Sequence, residues 1–166
     1  MEYTTLGRNG LKVSRLCLGT MMFGDPTSKA DSIAIIERSI DDGINFIDTA
    51  NVYNDGESER ILGKAVSGKR DAVVIATKVC GPMGKGANDS GLSRAHIMDE
   101  VENSLRRLAT DYIDIYILHR PVDDCPIEET LRALEDLTTQ GKIRYPGCSN
   151  FLGHGLTETL WLADKH

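Results

Sequence analysis

Apolar positions in this chain gather in short strand-like runs, separated by stretches in which they recur every three or four residues. The runs are Leu16-Cys17-Leu18, Ile44-Asn45-Phe46-Ile47-Asp48, Ala72-Val73-Val74-Ile75-Ala76-Thr77-Lys78, Ile113-Asp114-Ile115-Tyr116-Ile117-Leu118-His119 and Ile143-Arg144-Tyr145-Pro146-Gly147-Cys148. Such runs predict strands, and the nearly all-apolar third run predicts one covered on both faces. Helical spacing links Ile33, Ile36 and Ile40, then Ile61, Leu62, Ala65 and Val66, then Ile97, Val101, Leu105 and Leu108, then Ile127, Leu131, Leu134 and Leu137 on an inward face. A last helical segment spans Leu156 to Ala163, with Leu160 on the same face.

Punctuation residues agree with this division. Gly43 and Gly141 stand at helix C-termini, Ser93 at an N-cap and Pro126 in a first turn, while Glu57-Ser58-Glu59 brings acidic side chains to the start of the second helix. Asn9-Gly10, between Tyr3-Thr4-Thr5-Leu6 and Leu11-Lys12-Val13-Ser14, has the chemistry of a two-residue hairpin turn. The glycine-rich stretch holding Gly81, Pro82, Gly84, Gly86 and Gly91 predicts a long loop, and loops of that length often serve as lids.

Strand and helix alternating with right-handed crossovers give a parallel sheet with helices outside. The sheet can close as a doubly wound open sheet or as part of an eight-stranded barrel. No G-x-G-x-x-G follows the first run, so the barrel is favoured. The expected fold is therefore α/β, an incomplete TIM (β/α)₈ barrel made of an N-terminal β-hairpin and about five βα units, all in one domain over residues 1–166.

With 166 residues and 40% hydrophobic content, one core is the natural expectation. A net charge of -6 without a block of Lys or Arg argues against nucleic acid or an anionic membrane as the main partner, and favours a small molecule. No apolar run is long enough to span a bilayer and no signal-like stretch opens the chain, so the expected location is cytoplasmic. Cys17, Cys80, Cys125 and Cys148 are scattered, with no C-x-x-C pair and no histidine at ligand spacing, so no metal site is indicated. Most are expected to be buried, reduced thiols. Cys80, close to Lys78, is the one candidate for reactivity. His96 and His154 are read as solvated helix and loop residues.

Asp48, Tyr53, Lys78 and His119 each lie at or just past the end of a strand-like run. In parallel α/β folds the loops leaving the C-terminal strand ends converge on one rim, so the four can meet. A tyrosine holds its proton at neutral pH and can protonate a developing alkoxide if a nearby cation eases the loss. Lys78 could be that cation, Asp48 the carboxylate that keeps it charged, and His119 a neutral donor that orients a carbonyl oxygen. Such a set polarises and protonates a C=O but supplies no hydride, so a redox cofactor is needed. Each residue also has a plain alternative: a capping aspartate, a packing tyrosine, a snorkelling lysine, a structural histidine.

The wording around these residues carries more. Asp48-Thr49-Ala50-Asn51-Val52-Tyr53 followed by Gly56-Glu57-Ser58-Glu59 and Leu62-Gly63, Thr77-Lys78, Leu118-His119-Arg120-Pro121, and Gly141 to Tyr145 with Gly147-Cys148-Ser149-Asn150-Phe151 closely resemble the motifs of the aldo-keto reductase family. Leu18-Gly19-Thr20-Met21 and Phe23-Gly24 match as well. The resemblance implies an NADPH-dependent carbonyl reductase on a (β/α)₈ barrel. It implies Tyr53 as proton donor, Lys78 and Asp48 as its tuning groups, and His119 as the residue positioning the substrate carbonyl. Ser149 and Asn150 would orient the nicotinamide, Asp48 would also touch its ribose, and Thr20 and Met21 would line the cofactor or substrate pocket.

A complete barrel takes about 250 residues, so the resemblance also implies that three strands are absent, and with them the loops that hold the pyrophosphate and 2′-phosphate. Weakened NADPH binding is the corresponding expectation. An open arc leaves two strand edges and an inward face uncovered, which invites a second copy or a complementing chain. Pro146, which removes a ladder donor, suits an edge strand or a bulge. A fragment of a longer reductase, and a catalytically inactive binding module, stay open beside the enzyme reading.

Overall fold

The computed structural model describes residues 1–165. Five parallel strands form one sheet in chain order: β3 (Cys17–Gly19), β4 (Phe46–Asp48), β5 (Val74–Val79), β6 (Ile113–Leu118) and β7 (Ile143–Cys148). A separate antiparallel ribbon precedes them, β1 (Tyr3–Thr5) with β2 (Lys12–Ser14). The helices are α1 (Lys29–Asp41), α2 (Glu57–Ala65), α3 (Arg94–Leu108), α4 (Ile127–Thr139) and α5 (Gly153–Ala163). The strand order without a reversal is that of a barrel wall rather than a doubly wound sheet.

The helix boundaries follow the capping residues. Ser28 and Ser93 accept backbone N–H bonds at the starts of α1 and α3. Gly43 and Gly141, with φ of 89° and 73°, take the left-handed positions that end α1 and α4. Pro126 stands one position before its expected place, as the N-cap residue of α4.

The outer face of the sheet makes the main core. Ile47, Ile75 and Val79 pack with Ile36, Ile61, Leu62, Ile97, Val101 and Leu134 of the helices, all buried. On α4 the buried positions are Thr130, Ala133, Leu134 and Leu137, while Leu131 is half-buried. No residue of α5 is fully buried, and Leu152, Leu160 and Trp161 are exposed.

The inner face is partly covered, contrary to the expectation of an open one. Val13 of the ribbon packs on Val74, Ala76 and Ile115, with Leu6 and Leu11 beside it. The ribbon is pinned there by the Ser14 N–H donating to Asn45 Oδ1 at 2.6 Å. Its turn also differs from the two-residue form. Leu6 N–H donates to Leu11 O, so Gly7-Arg8-Asn9-Gly10 forms a four-residue connection, and the positive φ, 59°, falls at Gly7.

At the N-terminal end of the strands, Asp114 is buried and accepts from Arg70 Nη2 at 2.6 Å, from the Ile75 N–H at 3.0 Å and from Arg144 Nη1 at 3.4 Å. Tyr112 lies between the two guanidiniums, 4.0 Å from Arg70 and 3.8 Å from Arg144. This cluster fastens the end of the sheet away from the predicted site. β3 and β7 are the outer strands, and Pro146 lies in β7, as an edge position allows.

The cysteines depart from expectation. Only Cys80 is buried; Cys17 and Cys148 are exposed and Cys125 is half-buried, all four as free thiols. The physical reason is position: Cys17 and Cys148 sit on the two outer strands. His96 is a second correction. It is buried in α3, 4% exposed, and its Nε2 has no hydrogen-bond partner among the described residues. His154 is exposed, within α5 rather than a loop.

Candidate active site

The strands place the four predicted residues together at their C-terminal ends. Asp48 ends β4, Lys78 is the penultimate residue of β5, and His119 follows β6 directly. Tyr53 comes from the loop between β4 and α2. That loop turns sharply because Asn54, Asp55 and Gly56 take successive left-handed conformations, with φ of 49°, 53° and 80°. Asn, Asp and Gly are the residues that tolerate this. Asn54 Nδ2 then anchors the loop by donating to Phe23 O at 2.8 Å and Asp25 O at 3.0 Å.

Lys78 Nζ is the hub. It donates to Asp48 Oδ1 at 2.6 Å, to the Thr49 carbonyl at 2.8 Å and to the Tyr53 hydroxyl at 3.1 Å. The side chain is almost fully buried, so the snorkelling alternative does not hold. Because Lys78 donates to the phenol oxygen, the phenol O–H is left to point elsewhere. The His119 ring stands edge-on to Tyr53, 5.9 Å between centroids at 80°. Burial, reinforced by the Lys78 charge, holds the His119 pKa below its ordinary 6.5, so the ring is neutral at pH 7. Cys17 lies near Asp48 and Lys78. Although the residue is exposed, partial enclosure of its thiol, with help from Asp48, pushes it up to about 11, which makes it a poor nucleophile.

Ser149 and Asn150 follow β7, at the same end. Asn150, left-handed at φ 62°, donates through Nδ2 to the His119 carbonyl at 2.8 Å and to Ser149 Oγ at 3.1 Å. That leaves the Asn150 carbonyl oxygen as an acceptor and the Ser149 hydroxyl as a donor, the pair a carboxamide requires. Asp48 Oδ2 is likewise left for a hydroxyl. These donor sets fit a nicotinamide riboside. Met21 is exposed, and its carbonyl accepts from Asn54 Nδ2 at 3.4 Å. Thr20 is placed differently from what the resemblance implies: it is fully buried, and its hydroxyl bonds Asp48 O at 3.0 Å and Ser58 Oγ at 2.7 Å. In this geometry it ties β3 to β4 and α2.

Sequence reasoning missed a buried polar network behind the site. Glu59, fully buried, accepts from Thr77 Oγ1 at 2.6 Å and from Arg107 Nε at 2.5 Å. Glu100, 3% exposed, accepts from Asn51 Nδ2 at 2.6 Å and from Arg107 Nη2 at 3.2 Å. Burial alone would lower the Arg107 pKa, but Glu59 and Glu100 outweigh it and raise it. The signal available was the polar series Glu100, Ser104 and Arg107, spaced i, i+4, i+7 beside the apolar face of α3.

Among the described residues no group of His, Cys, Asp or Glu is arranged to hold a metal ion, and no helix is long and apolar enough to cross a membrane.

Comparison with known proteins identifies the family and the fold. The model of the Aldo/keto reductase family matches residues 15–165. The uncharacterized oxidoreductase YrpG of Bacillus subtilis is 45% identical over 99% of this chain and 54% of its own length. A probable voltage-gated potassium channel subunit beta of Arabidopsis thaliana is 40% identical over 99% of this chain and 51% of its own. Among solved structures, the holo form of the aldo-keto reductase AKR11C1 from Bacillus halodurans superimposes with a TM-score of 0.90 at 39% identity, covering 99% of this chain and 55% of that one. The chain thus spans about half the length of the curated relatives it matches. Its fold is an incomplete α/β barrel of the kind those neighbours complete, and the chain belongs to the aldo/keto reductase family.

Proposed function

We propose that this chain carries the carbonyl-reducing site of an NADPH-dependent reductase acting on an aldehyde or ketone. The observation that carries the proposal is the single ammonium, Lys78 Nζ, bonded at once to Asp48 Oδ1 and to the Tyr53 hydroxyl.

NADPH, when bound, supplies the hydride. The chain's own groups do the rest. Tyr53 delivers its proton to the oxygen that becomes the alcohol, and the Lys78 charge stabilises the phenolate left behind. Asp48 holds Lys78 in place and offers its second oxygen to a ribose hydroxyl. His119, neutral, donates a ring N–H to the carbonyl oxygen and fixes its approach to Tyr53. Ser149 and Asn150 hold the carboxamide, and Met21 lines the cofactor or substrate side of the rim.

The test is NADPH consumption, followed at its near-ultraviolet absorbance, against a panel of aldehydes and ketones, with NADPH affinity measured separately by fluorescence. Tyr53→Phe removes only the acid, so turnover falls by about 10²–10⁴-fold while affinity stays at the parent's value. Equal turnover in parent and variant overturns the assignment.

A further inference from the structure

The loop that carries Asp48, Thr49 and Tyr53 is braced from behind by a buried ion-pair chain that touches no reacting atom. Its middle residue, Asn51, is fully buried and donates to Glu100 on α3. Glu100 is oriented in turn by Arg107 Nη2, and Arg107 by Glu59 on α2 through Nε. Arg107 also donates to Ser104 Oγ at 3.1 Å, and its Cδ lies against Gly56, where an added Cβ would come within 2.5 Å. Glu59 closes the chain by taking the hydroxyl of Thr77, the neighbour of Lys78. Two backbone bonds pass the constraint forward, Thr49 N–H to Ala76 O at 2.8 Å and Asn51 N–H to Lys78 O at 3.2 Å.

We propose that Glu100, with Arg107 and Glu59 behind it, is a positioning residue of the reductase site: it fixes Asn51, and through Asn51 the Thr49 carbonyl that shares the Lys78 ammonium with Asp48 and Tyr53. A network of this kind is costly to bury, and here the Asn51 Oδ1 is left without a partner among the described residues, which points to orientation rather than stability as its return. Loss of the brace frees the loop by fractions of an ångström, and reacting groups displaced by about 1 Å lose roughly 10²-fold in rate. The proposal rests on the reductase reading above.

The test uses Asn51→Ala, which severs the brace from the loop while leaving the Glu59–Arg107–Glu100 pairs intact, and Glu100→Ala, which takes the acceptor away from Asn51. Thr130→Val serves as a control. It deletes a buried hydroxyl bonded to Leu92 O at 2.8 Å, so it loosens the protein without touching the brace. Two readouts are taken: the ¹⁵N signal of the Lys78 ammonium, assigned by its loss in Lys78→Arg, and kcat with KM for a carbonyl substrate.

In Asn51→Ala the Lys78 signal exchanges with water about tenfold faster and kcat falls about tenfold, with KM within about twofold. Glu100→Ala moves both in the same direction as Asn51→Ala, an unmoved signal there overturning the role of Glu100, and Thr130→Val keeps both near the parent's values. An unmoved Lys78 signal in Asn51→Ala overturns the proposal, as does an equal shift in Thr130→Val, or a moved signal with unchanged kcat. If the parent itself shows no turnover, the reductase reading fails, and the Lys78 signal alone then decides whether the brace positions the ammonium.

Discussion

Gly63 of α2 lies directly against Leu108, the last residue of α3, and replacing it with alanine gives a calculable result. A Cβ built there would lie 2.5 Å from the Leu108 carbonyl oxygen, 2.6 Å from its carbon and 2.8 Å from its Cα. All three are backbone atoms, so no side chain can swing aside. The helices must part by about half an ångström before the contact clears. Intrinsic helix propensity favours alanine by about 0.5–1 kcal/mol, whereas overpacking a closed interface costs about 1–3 kcal/mol and more where backbone must move. Parting the helices also loosens Leu62 and Ile61 from the core, and draws Glu59 away from Thr77. The net loss is about 2 kcal/mol. With a urea slope near 2 kcal/mol per molar, the midpoint falls by about 1 M. Gly153→Ala, at the open start of α5 where nothing lies within 4 Å of a Cβ, is the matched control and stays within about 0.5 kcal/mol of the parent. A Gly63→Ala midpoint at or above the parent's would refute the reasoning.

Further outcomes are equally direct. Thr77→Val removes one of the two donors to the buried Glu59 carboxylate, and costs about 1–3 kcal/mol by urea denaturation. For His119 the folded pKa lies below the unfolded 6.5, so its contribution to stability is complete above that pH and is lost as pH falls through the folded value; His119→Gln flattens the stability profile in that acidic window. With Cys17 raised from 9.0 to about 11, its alkylation by iodoacetamide at pH 8 runs roughly a hundredfold slower than that of an unperturbed thiol, as peptide mass spectrometry can follow. The unpaired edges of β3 and β7 predict concentration-dependent association of the chain in light scattering; a monomer at every concentration would count against it.

The five parallel strands and five helices were legible because both are written in local patterns, short apolar-rich runs for strands and a period of three to four for helices. Cap residues such as Ser93 and Gly141 fixed several ends for equally local reasons. The meeting of Asp48, Tyr53, Lys78 and His119 was legible because a parallel sheet sends all its C-terminal loops to one rim. What escaped was long-range and polar. Asn51 and Glu100 stand 49 positions apart, and Glu59 and Arg107 stand 48 apart, so no local pattern joins them. His96 was misread for the same reason, since its burial depends on what packs over α3 and not on its neighbours in sequence. The ribbon's turn failed differently. Asn9-Gly10 has hairpin chemistry, but the left-handed residue is Gly7, and the loop is two residues longer.

Asn150 makes two neighbouring loops into one mechanical part. Its amide grips the backbone of His119 while its own backbone sits in a conformation that few residues accept. Any exchange at this position therefore disturbs the imidazole and the Ser149 hydroxyl in the same stroke. Under the reductase proposal, reshaping the pocket for a different carbonyl compound must begin elsewhere on the rim, at Met21 or Leu152, where exposed side chains can change without unseating that joint.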